Sequence, residues 1–95
     1  MFARVTKYKM KPGSRDAATA LMNQLKGEIM KMPGMHNFVN VMNDDGGGYV
    51  ISVVDSQATS DANADHVKAL WGQFAENLEV APVPVGYDVI ANWAN

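Results

Sequence analysis

The chain contains no cysteine, and this absence removes several kinds of chemistry at once. There can be no disulfide framework, no thiolate nucleophile and no cysteine-ligated metal. Long apolar runs are also missing, since no window approaches the roughly 18 residues that a membrane-spanning helix needs. The N-terminal stretch MFARVTKYKMK lacks the apolar segment of a signal peptide. We therefore expect a cytoplasmic protein with no membrane partner.

Clusters of like charge and of metal ligands are scarce as well. The formal net charge is -2, and the nearest thing to a basic group is Lys7, Lys9 and Lys11, whose alternation indicates one face of a strand. The two histidines, His36 and His66, lie far apart without the carboxylate spacing of a metal site. No Gly-x-Ser-x-Gly motif supports a hydrolase. The sequence therefore predicts no nucleic-acid partner, no metal and no other cofactor.

The composition that is present indicates one domain spanning residues 1–95. Hydrophobic residues make up 47% of the chain and charged residues 19%, which is ordinary for a globular protein. A chain of this size buries roughly 60–68% of its unfolded surface. That is enough for one modest core, and it favours help from a partner chain.

The first third of the sequence changes period once. Residues 2–10 alternate in character with period two, which predicts a strand ended by the KPGS stretch. From Ser14, an expected N-cap, to Met32 the apolar residues recur at helical spacing, so an amphipathic helix is predicted. The MPG stretch then supplies a helix breaker and a glycine able to adopt positive φ.

The stretch DDGGG separates two predicted strands, Met35–Asn43 and Tyr49–Asp55. Three glycines behind two aspartates could be a phosphate cradle, a metal loop or a tight bend. A dinucleotide loop requires a helix directly after the glycines, and a calcium loop requires more oxygen ligands and a distal Glu. Here β-branched residues follow, so we interpret the stretch as a hairpin turn.

Two more elements complete the chain. After Asp55 the polar stretch SQATSDANAD predicts a short helical turn, and Asp65 or a neighbour is expected to cap a second helix. The last segment, Val83–Trp93, alternates like a strand and has prolines at its start. One face of the second helix is apolar and comprises Val67, Leu70, Trp71, Phe74 and Leu78.

The resulting order, βαββαβ, predicts a ferredoxin-like α+β fold: a four-stranded antiparallel sheet with two helices on one face. The strands are apolar on both faces, with Val39, Val41 and Ile51 opposite Phe38 and Met42. An uncovered apolar face is an aggregation liability. We therefore expect a second copy of the chain to cover it, giving a homodimer.

Four motifs resemble the antibiotic biosynthesis monooxygenase-like family of the dimeric α/β-barrel superfamily, and the similarity runs over essentially the whole chain. They are Lys11-Pro12-Gly13, Met32-Pro33-Gly34-Met35, the hydrophobic third strand followed by Asp55-Ser56, and Asp65-His66-Val67-Lys68-Ala69 at the second helix. The resemblance implies a homodimer with sheets face to face and a pocket between helices and sheet in each subunit. Family members include cofactor-independent oxygenases of quinol or anthrone-like compounds, haem-degrading enzymes and proteins with no known reaction.

The chain departs from parts of the family pattern. The haem-degrading members use an Asn on the first strand and a Trp and a His on the second helical region, and these positions fall near Thr6, Asp61 and Trp71 here. None of the three matches, so the resemblance favours an oxygenase over haem degradation. In oxygenase relatives the third strand often ends in an aromatic residue, where this chain has Val54.

His66 is the first candidate catalytic residue. It lies beside the apolar face of the second helix, and a neutral imidazole near a pocket could remove a phenolic proton. The other interpretation is a helix-flanking histidine bonded to Asp65 or Asp61. The residues alone leave both open.

The remaining candidates have equally simple structural interpretations. Tyr8 could orient or deprotonate a substrate, and Arg4, with Thr6 on the same strand face, could hold an enolate or carboxylate. As structure, Tyr8 is an amphipathic core residue and Arg4 a solvated strand end. The other candidates for substrate binding are Trp71, Phe74, Tyr87 and Asn63, which could equally be core aromatics and a cap.

Two hypotheses for function follow. The first is a small cofactor-independent monooxygenase for an electron-rich aromatic. The second is a non-catalytic dimeric barrel that binds a small apolar ligand or has a structural or stress-related role. An oxygenase needs a titratable group with a perturbed pKa facing a cavity, whereas a binding protein does not.

Overall fold

The computed structural model describes residues 1–95 and contains a single four-stranded antiparallel sheet in the order β2-β3-β1-β4. All helices pack on one face of it, so the predicted ferredoxin-like fold is confirmed. No helix is both long enough and apolar enough to cross a membrane. The elements are β1 Phe2–Met10, α1 Arg15–Met30, β2 Met35–Met42, β3 Gly47–Val54, α2 Gln57–Ala62, α3 Ala64–Gly72 and β4 Leu78–Asp88.

The first half of the chain folds as its periodicity predicts, with β1 spanning the predicted residues. The hairpin interpretation of DDGGG is also confirmed. Gly46 has a φ of 87°, which allows its N–H to donate to the Asn43 carbonyl at 3.0 Å while the Asn43 N–H donates to the Gly47 carbonyl at 2.8 Å. The Asp45 side chain accepts from the Gly47 N–H at 2.9 Å, so the aspartate stabilises the bend.

The second half differs from the prediction at its helix boundaries. The predicted turn after Asp55 is a six-residue helix, α2, whose N-cap Ser56 accepts from the Thr59 N–H at 3.2 Å. The cap of α3 was predicted at Asp65 or a neighbour, and the structure places it at Asn63, which separates α2 from α3 and makes no side-chain cap hydrogen bond. Helix α3 ends at Gly72 because the chain tightens there into turns. Leu78, predicted on the helix, therefore begins β4 instead.

The fourth strand ends earlier than predicted. It runs from Leu78 to Asp88 and not to Trp93. Alternation continues in the sequence beyond Asp88, but β1 begins at Phe2, which is the partner of Asp88 in the register. Beyond this point one more backbone bond is made, from the Val89 N–H to the Met1 carbonyl at 3.1 Å, and Met1 is the first residue of the chain that could pair with β4. Trp93 is 93% exposed.

The core lies between the helices and the inner face of the sheet. One cluster is built around Tyr8, Met10, Ala18, Val50 and Phe74, and a smaller one contains Ile29, Met32 and Leu70. No buried side-chain nitrogen or oxygen lacks a hydrogen-bond partner. The core is therefore a methionine-rich apolar layer with a few satisfied polar groups.

The opposite face of the sheet, which we call the outer face, is covered by no helix. The strand register places Val39, Ile51, Val5 and Val85 in one row across all four strands. An adjacent row on the same face consists of Val41, Tyr49, Lys7 and Val83. Exposed fractions of 46–57% at Val39, Val41, Val83, Val85 and Tyr87 show that the face is open in a single chain.

Gly48 lies where the β2 backbone and the Tyr8 side chain leave no room for a Cβ, and its replacement should destabilise the fold. A Cβ there would overlap the Val41 carbonyl oxygen and lie 2.7 Å from the Tyr8 hydroxyl. We expect Gly48→Ala to lower the free energy of unfolding by about 2 kcal/mol. For a chain of this size that lowers Tm by roughly 8–16 °C in thermal denaturation.

Gly27, in the last turn of α1, provides the matched control. It is exposed, and a Cβ at this position would meet no atom within 4 Å. Gly27→Ala should raise the free energy of unfolding by about 0.5–1 kcal/mol, because alanine restricts the unfolded chain and favours helix. Equal Tm values for the two variants would contradict the close approach at Gly48.

Candidate functional site

A narrow cavity of about 80 Å³ lies between α1, α3 and the inner face of the sheet. Of the 19 residues that line it, 14 are hydrophobic. Five of these are methionines: Met10, Met22, Met32, Met35 and Met42. The flexible, polarisable methionine side chain suits an apolar interior that adapts to a ligand.

Strand β1 supplies the polar side of this cavity. Because side chains alternate along a strand, Arg4, Thr6 and Tyr8 all point to the helices, and all three line the cavity. Thr6 and Tyr8 are buried and Arg4 is half-buried. The prediction that these residues share a helix-facing strand face therefore matches their position.

Tyr8 is held at the side of the cavity by two acceptors. Its hydroxyl lies 2.7 Å from Asn40 Oδ1 and 3.1 Å from the Val41 carbonyl oxygen, and it has one proton to donate between them. Burial raises the pKa of the Tyr8 phenol, and the smaller effects of the Asn40 hydrogen bond and the Arg15 charge oppose this rise. The raised pKa favours the neutral phenol, which donates a hydrogen bond.

Arg4 is a cation without a counter-ion. Its Nη2 donates to the Ser60 carbonyl at 3.0 Å and lies 3.1 Å from Ser60 Oγ, so α2 holds one edge of the guanidinium. No carboxylate lies within 4.0 Å of it, unlike Lys9 and Arg15, which pair with aspartates on the surface. Nε and Nη1 donate to no protein atom. The guanidinium is therefore able to bind an anion through its free N–H groups.

Aromatic rings line the cavity beside this cation. The Trp71 ring centroid lies 5.6 Å from that of Tyr8 and 6.1 Å from that of Phe74, with tilted planes in both pairs. Such tilted arrangements are favourable for aromatic pairs. Trp71 and Phe74, both predicted as candidate pocket residues, line the cavity.

A second, wider space lies on the other side of Trp71. This groove, of about 700 Å³, runs between α3 and the first half of β4. Its lining includes Pro82 and Pro84 and the charged residues Asp65, Lys68 and Glu79. Four residues line both the groove and the cavity: Arg4, Thr6, Val67 and Trp71.

His66 does not lie at the cavity, and its assignment as a pocket base is corrected by its position. His66 directly precedes Val67, which lines the cavity, and successive residues of a helix differ in direction by about 100°. The His66 side chain therefore points away from the cavity, toward α1. There its Nε2 lies 2.9 Å from Glu28 Oε1, and 43% of its side chain is exposed. His66 links two helices on the surface.

Two other candidates lie away from the cavity. Asn63 is buried, but its Nδ2 donates to the Pro33 carbonyl at 3.0 Å, so it joins the α2–α3 junction to the turn after α1. Tyr87 is 52% exposed and lies on the outer face opposite Ala3, because it has the same strand parity as Val85. Neither lines the cavity or the groove.

Two residues of the site were missed by sequence reasoning. Asn40 orients the Tyr8 hydroxyl, and the alternation of Phe38, Asn40 and Met42 along β2 could have identified it. Ser60 holds Arg4 from α2, a short helix whose sequence carries no periodic signal.

The titratable side chains do not assemble a metal centre. No three His, Asp or Glu side chains lie close enough together to hold a metal ion. His36, at an irregularity in β2, pairs instead with Asp55 at 2.5 Å on the surface. The chemistry of the site therefore depends on one cation, one neutral phenol and an apolar wall.

No protein-family model matches the sequence, and no curated protein matches it. Solved structures do. A protein of unknown function from Nitrosomonas europaea has a TM-score of 0.81 at 16% identity, over 99% of this chain and 93% of its own. A Caulobacter crescentus protein provisionally named an antibiotic biosynthesis monooxygenase has a TM-score of 0.78 at 17% identity, over 95% of this chain and 90% of its own.

A further structure, named antibiotic biosynthesis monooxygenase, has a TM-score of 0.76 at 17% identity and covers 96% of this chain and 100% of its own. Sequence identities this low support a shared fold and no further conclusion about function. At the level of the fold, the predicted resemblance to antibiotic biosynthesis monooxygenase-like proteins is confirmed.

Proposed function

We propose that this chain, which has the fold of structures named antibiotic biosynthesis monooxygenase, oxygenates an electron-rich aromatic without a cofactor. The substrate class is a quinol or anthrone-like compound that binds as its anion. The observation that carries this proposal is the unpaired Arg4 guanidinium beside an apolar, aromatic-lined cavity.

In this mechanism Arg4, and not a histidine base, promotes ionisation of the substrate. A cation next to a bound phenol or enol favours the ionised form and lowers the pKa of the ligand. The low-polarity surroundings strengthen this attraction, because the groups around Arg4 screen charge less than water does. The proton leaves to solvent through the groove, and no side-chain base is required.

The reaction of the bound anion with dioxygen balances without further reactants. An anthrone anion, formed by loss of one proton from the CH₂ carbon, gives one electron to dioxygen. The carbon radical and superoxide combine, and a proton from water completes the hydroperoxide. Loss of water then breaks the O–O bond, so that one anthrone and one dioxygen yield one quinone and one water. The protein supplies orientation, anion stabilisation and partial exclusion of water.

A specific observation favours a second function, that of a non-catalytic binding protein. The cavity is small, five of its 19 lining residues are methionines, and the titratable side chains that line it are Arg4 and Tyr8. A protein that only binds an aromatic anion would need Arg4 and Trp71 but no access for dioxygen.

We further propose that the chain forms a homodimer in which two outer faces pack together. The central row of that face consists of four β-branched aliphatic residues, Val39, Ile51, Val5 and Val85. A contiguous apolar face of this kind is unusual in a monomer. A second copy is the occupant that matches it, since a twofold axis sets like surface against like surface.

Oxygen uptake tests the proposed reaction directly. Purified, metal-stripped protein is mixed with a panel of hydroquinones and anthrones, and dioxygen consumption and quinone formation are followed together. We expect protein-dependent uptake in the ratio of one dioxygen per anthrone-derived quinone, unchanged by chelators. Uptake no faster than in buffer, with quenching of tryptophan fluorescence by the same compounds, would instead support the binding protein.

The same assay tests the corrected position of His66. We expect His66→Ala to retain kcat and KM for the aromatic substrate, because the imidazole bonds to Glu28 outside the cavity. Its effect should be limited to stability, with a cost of up to about 1 kcal/mol for a half-exposed pair. A large fall in kcat with a normal melting curve would restore His66 as the base.

A further inference from the structure

The cavity and the groove differ in size by nearly an order of magnitude, and this difference separates the ligands they can hold. An apolar cavity of 150 Å³ is large enough for benzene or xenon. The cavity here measures about 80 Å³, whereas the groove measures about 700 Å³. A multi-ring aromatic therefore fits the groove, and only a much smaller molecule fits the cavity.

Away from its polar lining residues Arg4, Thr6, Thr19 and Ser52, the cavity is also poorly suited to water. A buried water needs two to four hydrogen-bond partners. The Tyr8 proton is already committed to Asn40 or the Val41 carbonyl, and Asn40 Nδ2 lies 3.3 Å from Met22 Sδ. Most of the remaining wall is aliphatic, aromatic or thioether. The interior therefore favours a small apolar molecule.

We propose that the methionine-lined cavity is the dioxygen site and that the aromatic anion binds in the groove. The two spaces share Arg4, Thr6, Val67 and Trp71, so a molecule in each would meet at this shared wall. This inference rests on the proposed oxygenase function for its choice of dioxygen. The cation at the wall then stabilises both the bound anion and the superoxide formed from dioxygen.

Xenon, an apolar atom that does not react, is the probe for this site. Five of the seven methionines line the cavity, while Met1 and Met30 do not and are 55% and 41% exposed. In protein labelled with ¹³C at the methionine methyl groups, we expect saturable xenon-dependent shifts at the five cavity methyls. Met1 and Met30 are internal controls and should shift only linearly.

Two substitutions with opposite effects on the cavity complete the test. Ala18 is buried in α1 at the cavity, so Ala18→Val should reduce the xenon shifts, whereas Ala20→Val on the exposed side of α1 should not. Ile29→Val removes a methyl group from the wall and should increase xenon occupancy. In oxygen uptake, Ala18→Val should raise KM for dioxygen several-fold and leave KM for the aromatic unchanged.

The outcomes separate this inference from the proposed function. Absence of saturable shifts, or shifts unchanged in both Ala18→Val and Ile29→Val, would overturn the dioxygen site. An unchanged KM for dioxygen in a folded Ala18→Val protein would do the same. Saturable xenon binding in a protein that consumes no dioxygen would support an apolar small-molecule site and count against the oxygenase.

Discussion

Replacing Arg4 by Gln should lower kcat/KM for the aromatic substrate about 30-fold, the largest loss that we expect from any single change at the site. A hydrogen bond to a charged group contributes about 1.5–3 kcal/mol, and 2 kcal/mol corresponds to a factor of about 30. Arg4 has no carboxylate partner, so its charge is fully available to the ligand. The assay is oxygen uptake with the best quinol or anthrone of the panel.

The pH dependence of that loss identifies its cause. With Arg4 present the pKa of the bound substrate is lowered, so the wild-type protein reaches full activity at a lower pH than the variant. The difference between them should therefore shrink as pH rises toward the solution pKa of the substrate, where the anion forms unaided. A constant ratio across pH would contradict anion stabilisation.

Two further variants serve as controls for this result. Arg4→Lys keeps the charge but lacks the planar guanidinium that Ser60 holds, so we expect partial activity. Arg15→Gln removes a surface cation that pairs with Asp44 at 3.7 Å, and it should retain wild-type activity. Equal losses in Arg4→Gln and Arg15→Gln would indicate that overall charge matters and not the cation at the cavity.

Charging the outer face should prevent the proposed dimer from forming. Val85 lies in the central row of that face and is 46% exposed in a single chain, so Val85→Asp adds no buried charge to the monomer. In the dimer each copy would bury one aspartate. Because an unpaired buried charge costs several kcal/mol, we expect the dissociation constant to rise about a thousandfold or more.

Light scattering and sedimentation check this prediction. The unmodified chain should be a dimer of about twice 10.3 kDa, and Val85→Asp a folded monomer or an aggregate. Ala17→Asp, on the exposed side of α1, introduces the same charge away from the sheet and should remain dimeric. Val53→Asp would be a less specific test, because Val53 is only 8% exposed within one chain and its substitution would also damage the monomer.

Most of the fold was predictable because its signals are local. Period two along β1, helical spacing along α1 and the glycines of the hairpin each act within a few residues. The boundary between α3 and β4 was not predictable in this way. Leu78 continues the apolar helical spacing of Val67 to Phe74, yet pairing with Met10 of β1 places it at the start of a strand. That pairing joins residues far apart in the sequence.

The candidate site was predictable to the extent that strand parity decides it. Alternation correctly grouped Arg4, Thr6 and Tyr8, since each step along a strand reverses the face. On a helix, the side chains of neighbouring residues differ in direction by only about 100°. The sequence therefore does not decide whether His66, next to Val67, faces the cavity or the surface. The role of Ser60 depends on how α2 packs on β1, and no periodic pattern in the sequence predicts that packing.

Pro82 and Pro84 in β4 bear on how far this sheet can grow. β4 is an edge strand, and Pro84 pairs with Thr6 of β1 although it has no N–H to donate. The backbone nitrogens of both prolines therefore face away from β1, toward the free edge of the sheet. A strand added at this edge would lack hydrogen bonds at two successive donor positions. Strand-by-strand polymerisation requires an open edge at each end of the sheet, and here one end is blocked. The chain can therefore expose a broad apolar face to a second copy while its β4 edge offers no template for an added strand.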